Sequence, residues 1–193
     1  MKSISQLKTE AKAALSGKWG MAIAVVIIYS LIIGALSSTA IGGLLNGCFA
    51  FGLFAAYLSL IRTKEMRLET LFSGFENFGT TLLAGILQAI FTFLWSLLFV
   101  IPGIVKSYSY AMTYYIMKDN PNLSANDAIT ESRKMMNGHK MDLFLLDLSF
   151  IGWMILTVLT FGLLSLYVVP YQHATKAAFY ESLKNDSEGT AEA

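Results

Sequence analysis

Four residues of this chain could do chemistry where chemistry is least expected: Lys106, Asp147, His173 and Lys176. Each lies within an apolar stretch. A charge at a bilayer centre costs about 2.5–3.5 kcal/mol on insertion scales, so an ionisable residue at such a position is a site hypothesis from the outset. Lys106 sits in "FVIPGIVKSYSY", Phe99 to Tyr110, four residues after Pro102. Pro suits the first turn of a helix, and Gly103 suits a tight turn between two helices. That places Lys106 within about one helical turn of an outer interface. There it either snorkels to the headgroups or contacts a lipid phosphate or anionic substrate. No acidic residue is expected on that side to pair with it.

Asp147 and Lys176 are read together. If the chain turns near Phe161, Asp147 lies 14 residues before the turn and Lys176 lies 15 after it. Antiparallel neighbours then place both at one depth, and pairing is the expected way to carry two charges in a membrane. The pair reads as a structural lock or as a proton or ion relay that includes His173, one turn from Lys176. Pro170 predicts a kink and a freed carbonyl near this level. The tyrosines Tyr108, Tyr110, Tyr114 and Tyr115 spread around their helix and serve either packing or a cavity lining. Gly43 and Gly47 form G-x-x-x-G, which permits close helix approach within the chain or between copies.

Catalytic and cofactor motifs are otherwise absent. There is no G-x-S-x-G, no H-E-x-x-H and no phosphate-binding loop. His139 and His173 are the two histidines, and nothing in their spacing suggests a Ser-His-Asp site. The single cysteine, Cys48, excludes an intrachain disulfide and a cysteine zinc cluster. The expectation is a non-enzyme without metal or cofactor.

The elements that must position these residues follow from composition. Of the 193 residues, 55% are hydrophobic and 14% charged, against about 25% charged in soluble domains. There are too few charges to cover a water-facing surface. A net charge of +1 gives no field for nucleic acid. A bilayer core needs about 20 apolar residues per helix. Trp19–Leu36, Ile41–Ile61 and Gly79–Ile101 carry no charge at all, and Pro102–Met117, Leu143–Leu159 and Leu163–Tyr180 carry one each. The reading is an all-α polytopic membrane protein of six transmembrane helices, arranged as three hairpins. The first window is too long for a typical signal-peptide core and is retained.

Lysine and arginine set the orientation. Lys2, Lys8, Lys12 and Lys18 precede the first span. Arg62, Lys64 and Arg67 follow the second, Lys118, Arg133, Lys134 and Lys140 the fourth, and Lys184 the sixth. The alternate connections, Ser37–Ala40, Pro102–Gly103 and Thr160–Gly162, carry none. Both termini are expected to be cytoplasmic. On that side, Ser3–Leu15, Glu65–Phe78 and Ser124–Asn137 read as amphipathic helices lying in the interface. Ser3 with Gln6 has capping-box spacing, and Ser124 can cap with Asp127 at the third position. Residues 1–184 form one membrane domain, and the polar tail 185–193 reads as disordered.

Three stretches carry a family resemblance: "IPGIVKSYSYAMTYYIMKDNPNLSANDAITESRKMMNGHK", "LFLLDLSFIGW" and "VVPYQHATKAAFYESL", with "ALSGKWGMAI" and "LFSGF" upstream. With them the chain resembles a bacterial integral membrane family, domain of unknown function 975. The resemblance implies a six-helix plasma-membrane protein of Gram-positive type and supplies no activity. A looser likeness to membrane domains attached to some glycerophosphodiester phosphodiesterases transfers no catalytic residue. The expected function is binding of, or response to, lipids or amphiphilic small molecules, with anionic headgroups as partners. The alternatives are a scaffold or accessory subunit that binds a protein partner through its cytoplasmic helices, itself or as a homo-oligomer, and a small-solute transporter.

Overall fold

The computed structural model describes residues 2–36, 40–98 and 100–191, with side chains described outside 40–44, 98, 100–102 and 188–191. All regular structure among them is helical. In chain order it comprises α1 (Ile4–Leu15), α2 (Trp19–Leu36), α3 (Ala40–Thr63), a 3₁₀ segment (Leu68–Phe75), α4 (Phe78–Leu98), α5 (Val100–Ser109), α6 (Thr113–Asp119), α7 (Ala125–Met135), α8 (Lys140–Leu148), α9 (Ile151–Leu159) and α10 (Ser165–Ala191). Four stretches are long and apolar enough to cross a membrane: Trp19–Leu36, Leu45–Thr63, Phe78–Leu97 and Lys140–Leu159. The other two expected spans take a different form. Pro102–Met117 is divided between α5 and α6, and Leu163–Tyr180 is part of α10, which runs through Pro170.

Helix α3 is the hub. Two thirds of its apolar window is buried (67%), against 11% for α4, and α2, α4, α6, α10 and the 3₁₀ segment all pack on it. Its glycines permit this. A Cβ on Gly52 would stand 1.9 Å from the Leu71 carbonyl oxygen, and one on Gly74 would stand 2.1 Å from that of Cys48. The 3₁₀ segment therefore lies backbone to backbone on α3. Gly47 meets Gly85 of α4 in the same way, so this glycine serves packing within the chain. Gly43 lies outside the described side chains. The outer faces of α4, α8 and α9 leave large apolar side chains uncovered, among them Phe93, Leu97, Met141, Phe144, Met154 and Val158. Such a surface needs an apolar solvent.

The three amphipathic segments do not lie free of the bundle. α1 is capped as expected: Gln6 N–H donates to Ser3 Oγ, and Ser3 N–H donates to Gln6 Oε1 at 2.8 Å. It runs antiparallel along α10, with Lys2 N–H donating to Ser182 Oγ (2.9 Å) and Lys12 over Tyr171. Leu7, Ala11, Ala14 and Leu15 are buried there. The second segment is 3₁₀ over Leu68–Phe75 rather than α over Glu65–Phe78. Period three turns Leu71 and Gly74 inward, with Ser73 buried beside them, and leaves Phe72 and Phe75 exposed, edge-on to Phe49. The tighter helix fits because Gly52 and Gly74 admit its backbone. α7 starts at its Ser124 cap, and Gly138, at φ +87°, follows its end.

One turn also differs from expectation. Pro102 and Gly103 are not the turn: both lie inside α5, and α4 and α5 are separated by residue 99 alone. Pro102 occupies the first turn of α5, where a missing N–H costs nothing. Gly103 packs on Ser96, where a Cβ would stand 2.3 Å from its Oγ. The Ser37–Ala40 turn falls largely on residues 37–39, outside the described residues. At the C-terminus α10 continues through Ala191, into the stretch whose polarity suggested disorder. Extending an existing helix costs far less than nucleating one.

Candidate functional site

The Asp147–Lys176 contact forms as the spacing requires. The α8–α9 arm pairs antiparallel with α10, with Phe150 on Tyr171 and Trp153 on Tyr167. The chain reverses at Phe161 and Gly162, both at positive φ. Lys176 Nζ lies 3.0 Å from Asp147 Oδ1. Two neutral donors complete the carboxylate: Gln172 Nε2 at 3.1 Å and Tyr108 OH at 3.2 Å. Tyr108 comes from α5, so one carboxylate joins three elements. Tyr108 was among the tyrosines read as packing or cavity lining, but Gln172 was not singled out. Gln172 lies one turn before Lys176 and could have been found by adding polar residues at i−4.

His173 is not part of this network. Its ring faces α3, stacked on Tyr57 at 5.2 Å and edge-on to Phe54 at 6.0 Å. Its Nδ1 is covered and has no hydrogen-bond partner. One position along a helix rotates a side chain by about 100°, and that separates His173 from Gln172. Tyr115, also fully buried and stacked on Tyr180, likewise leaves its hydroxyl without a partner.

Lys106 stands over the Trp95 ring at 4.4 Å. The isolation expected for it does not hold. Chain direction breaks between α5 and α6, and Ser132 of α7 plugs the break. Ser132 Oγ donates to the Ser109 carbonyl (2.9 Å) and accepts from Met112 N–H (3.2 Å). That brings Arg133 to the last turn of α5, and Arg133 and Lys140 both lie within electrostatic reach of Lys106. The sequence reading had assigned those two to the opposite side, because it took α7 as lying flat rather than folded back onto α4, α6 and the α5–α6 break.

A second charged centre was missed. Asp119, at the end of α6, accepts from Arg62 Nη1 and Nη2, from Lys184 Nζ at 2.8 Å and from Tyr180 OH at 2.8 Å. Arg62 Nε also pairs with Glu181 at 2.7 Å. Burial alone would raise the Asp119 carboxyl, but hydrogen bonds from Arg62, Lys184 and Tyr180 outweigh it and hold the group at about 2. The ends of α3 and α6, the start of α1 and residues 181–184 of α10 thus meet on one face. Beside this centre opens a cleft of about 820 Å³, lined by Asp119, Asn120, Lys134, His139, Tyr180 and Lys184 among others. His139 Nδ1 lies 3.0 Å from Asp142. The signal in the sequence was present: Arg62, Asp119 and Glu181 each stand within a few residues of the end of an expected span on the same side.

Among the described residues no cluster of three or more His, Cys, Asp or Glu could hold a metal ion. No curated protein and no solved structure matches the chain. A family model does, over residues 1–106 and 97–187. These two stretches run through all the elements just described up to the last residues of α10, and the chain belongs to the family described as "Protein of unknown function (DUF975)".

Proposed function

We propose that this is a multi-span plasma-membrane protein with both termini cytoplasmic, which acts by binding lipids or amphiphilic small molecules rather than by catalysis. One contrast carries the reading. The charges inside the bundle are matched to one another, as at Asp147 with Lys176. Lys106 instead faces the periphery, over Trp95 and among exposed Ile104 and Val105, with no carboxylate partner among the described residues. That is the setting of a lipid-facing cation. Two measurements test it. In a Cys48→Ala background, single cysteines at Thr160 should label from outside and at Thr63 and Asn126 from inside; any reversal sinks the topology. Native mass spectrometry of the purified protein should find a defined lipid retained, and loss of that lipid in Lys106→Ala supports the reading. The 820 Å³ cleft on the charged face favours a second reading, a soluble partner bound there. A stoichiometric protein that Lys134→Glu releases, with no retained lipid, would select it.

A further inference from the structure

We infer that Lys106, Arg133 and Lys140 form a headgroup site for an anionic phospholipid, with its acyl chains lying along the apolar outer faces of α5 and α8. The inference rests on the lipid reading above and gives it a place and a ligand class. The three cations come from three elements: the last turn of α5, the last turn of α7 and the first residue of α8. Neutral contacts bring them together. Ser132, the neighbour of Arg133, bonds to Ser109, which is one turn from Lys106. Phe144, one turn after Lys140, meets Tyr108 edge-on at 6.1 Å.

Among the described residues none of the three has a carboxylate partner. Lys2, Arg62, Lys134, Lys176 and Lys184 all do. Like charges held close repel, and the cost falls when an anion sits among them. Arginine with two lysines matches a phosphate, which takes the planar guanidinium in bidentate fashion. The surroundings select the lipid form of that phosphate. Trp95 lies beneath Lys106, as aromatic rings lie at headgroup level. Ile104, Val105, Met141 and Phe144 are exposed beside the cations. A soluble anion would gain nothing from them, whereas an acyl chain would cover them.

Trp95 supplies the probe. The chain has three tryptophans, so Trp19→Phe with Trp153→Phe leaves Trp95 as the sole reporter. The protein is placed in phosphatidylcholine bilayers containing, at equal mole fraction, either phosphatidylglycerol or phosphatidylcholine with brominated acyl chains. Brominated phosphatidylglycerol should quench Trp95 preferentially. Each of K106Q, R133Q and K140Q should lower that preference by up to about fivefold, and the triple variant should abolish it. K106R should retain it, as should K2Q, whose cation is paired with Glu10. A triple variant that keeps the wild-type preference overturns the site. So does millimolar inorganic phosphate that displaces the lipid fully, since the site would then serve a free anion. A lipid that still co-purifies when Trp95 shows no preference removes this site and leaves the lipid reading standing. The absence of both removes the two together.

Discussion

Replacing Asp119 with asparagine tests how the charged face holds together. The carboxylate side chain is only 9% exposed and accepts from four donors on two other helices, α3 and α10. Hydrogen bonds to charged groups contribute about 1.5–3 kcal/mol each. Arg62 and Lys184 are 32% and 33% exposed, so solvent screens much of their share. Asparagine keeps one acceptor and turns its NH₂ toward the cations. The net expectation is a loss of about 2–4 kcal/mol, read as thermal unfolding in detergent micelles. Acid gives an independent readout. The folded carboxyl lies at about 2, below its ordinary 3.8. Its contribution is therefore complete above about pH 4 and drains away as pH falls toward 2. The wild type should show that acid step, and Asp119→Asn should lack its share of it. A variant that melts within about 0.5 kcal/mol of the parent, or keeps the full acid step, refutes the argument.

Three further perturbations have definite expectations. Asp147→Asn and Lys176→Gln should each destabilise more than half of what the double variant does, because either alone strands a charge; simple additivity in the cycle would show that the pair is uncoupled. Gly74→Ala should abolish stable protein, since its Cβ would overlap the Cys48 carbonyl, while Gly79→Ala, with nothing within 4 Å, should express like wild type; comparable yields by fluorescence-detected size exclusion would contradict the close packing. Ser132→Ala leaves the Met112 N–H without a partner in a buried site and should cost about 1–3 kcal/mol, with Ser132→Thr partly restoring stability; an unchanged melting temperature would mean that α7 is not held there.

Spacing made some of this legible, and packing decided the rest. The Asp147–Lys176 contact follows from counting residues on either side of Phe161, because a helical hairpin has a fixed rise per residue. The Ser3 and Ser124 caps were readable for the same reason: they depend on neighbours three residues away. The position of Lys106 was not readable. It depends on α7 folding back against the α5–α6 break through Ser132, 23 residues from its partner Ser109. Periodicity also misread Leu68–Phe75, because apolar residues at three and four suit either helix type, and only the contact with Gly52 on α3 selects the tighter one. Polarity flagged His173 beside Lys176 but could not say which neighbour each faces.

The charged face has a consequence for how the chain is made. Arg62 is synthesised early, and its partner Glu181 follows 119 residues later. At about 5–20 residues per second the interval is roughly 6–24 s. Until α10 emerges, Arg62 and Asp119 hold each other without Lys184, Glu181 or Tyr180, and α1 lacks the surface it lies on. The last helix thus closes the first, and a ribosome that stops short of α10 releases a chain in which α1 keeps its smaller contacts with α3 and the α8–α9 junction but lacks the helix it runs along. Such a product leaves the apolar face of α1, Leu7, Ala11, Ala14 and Leu15, partly uncovered.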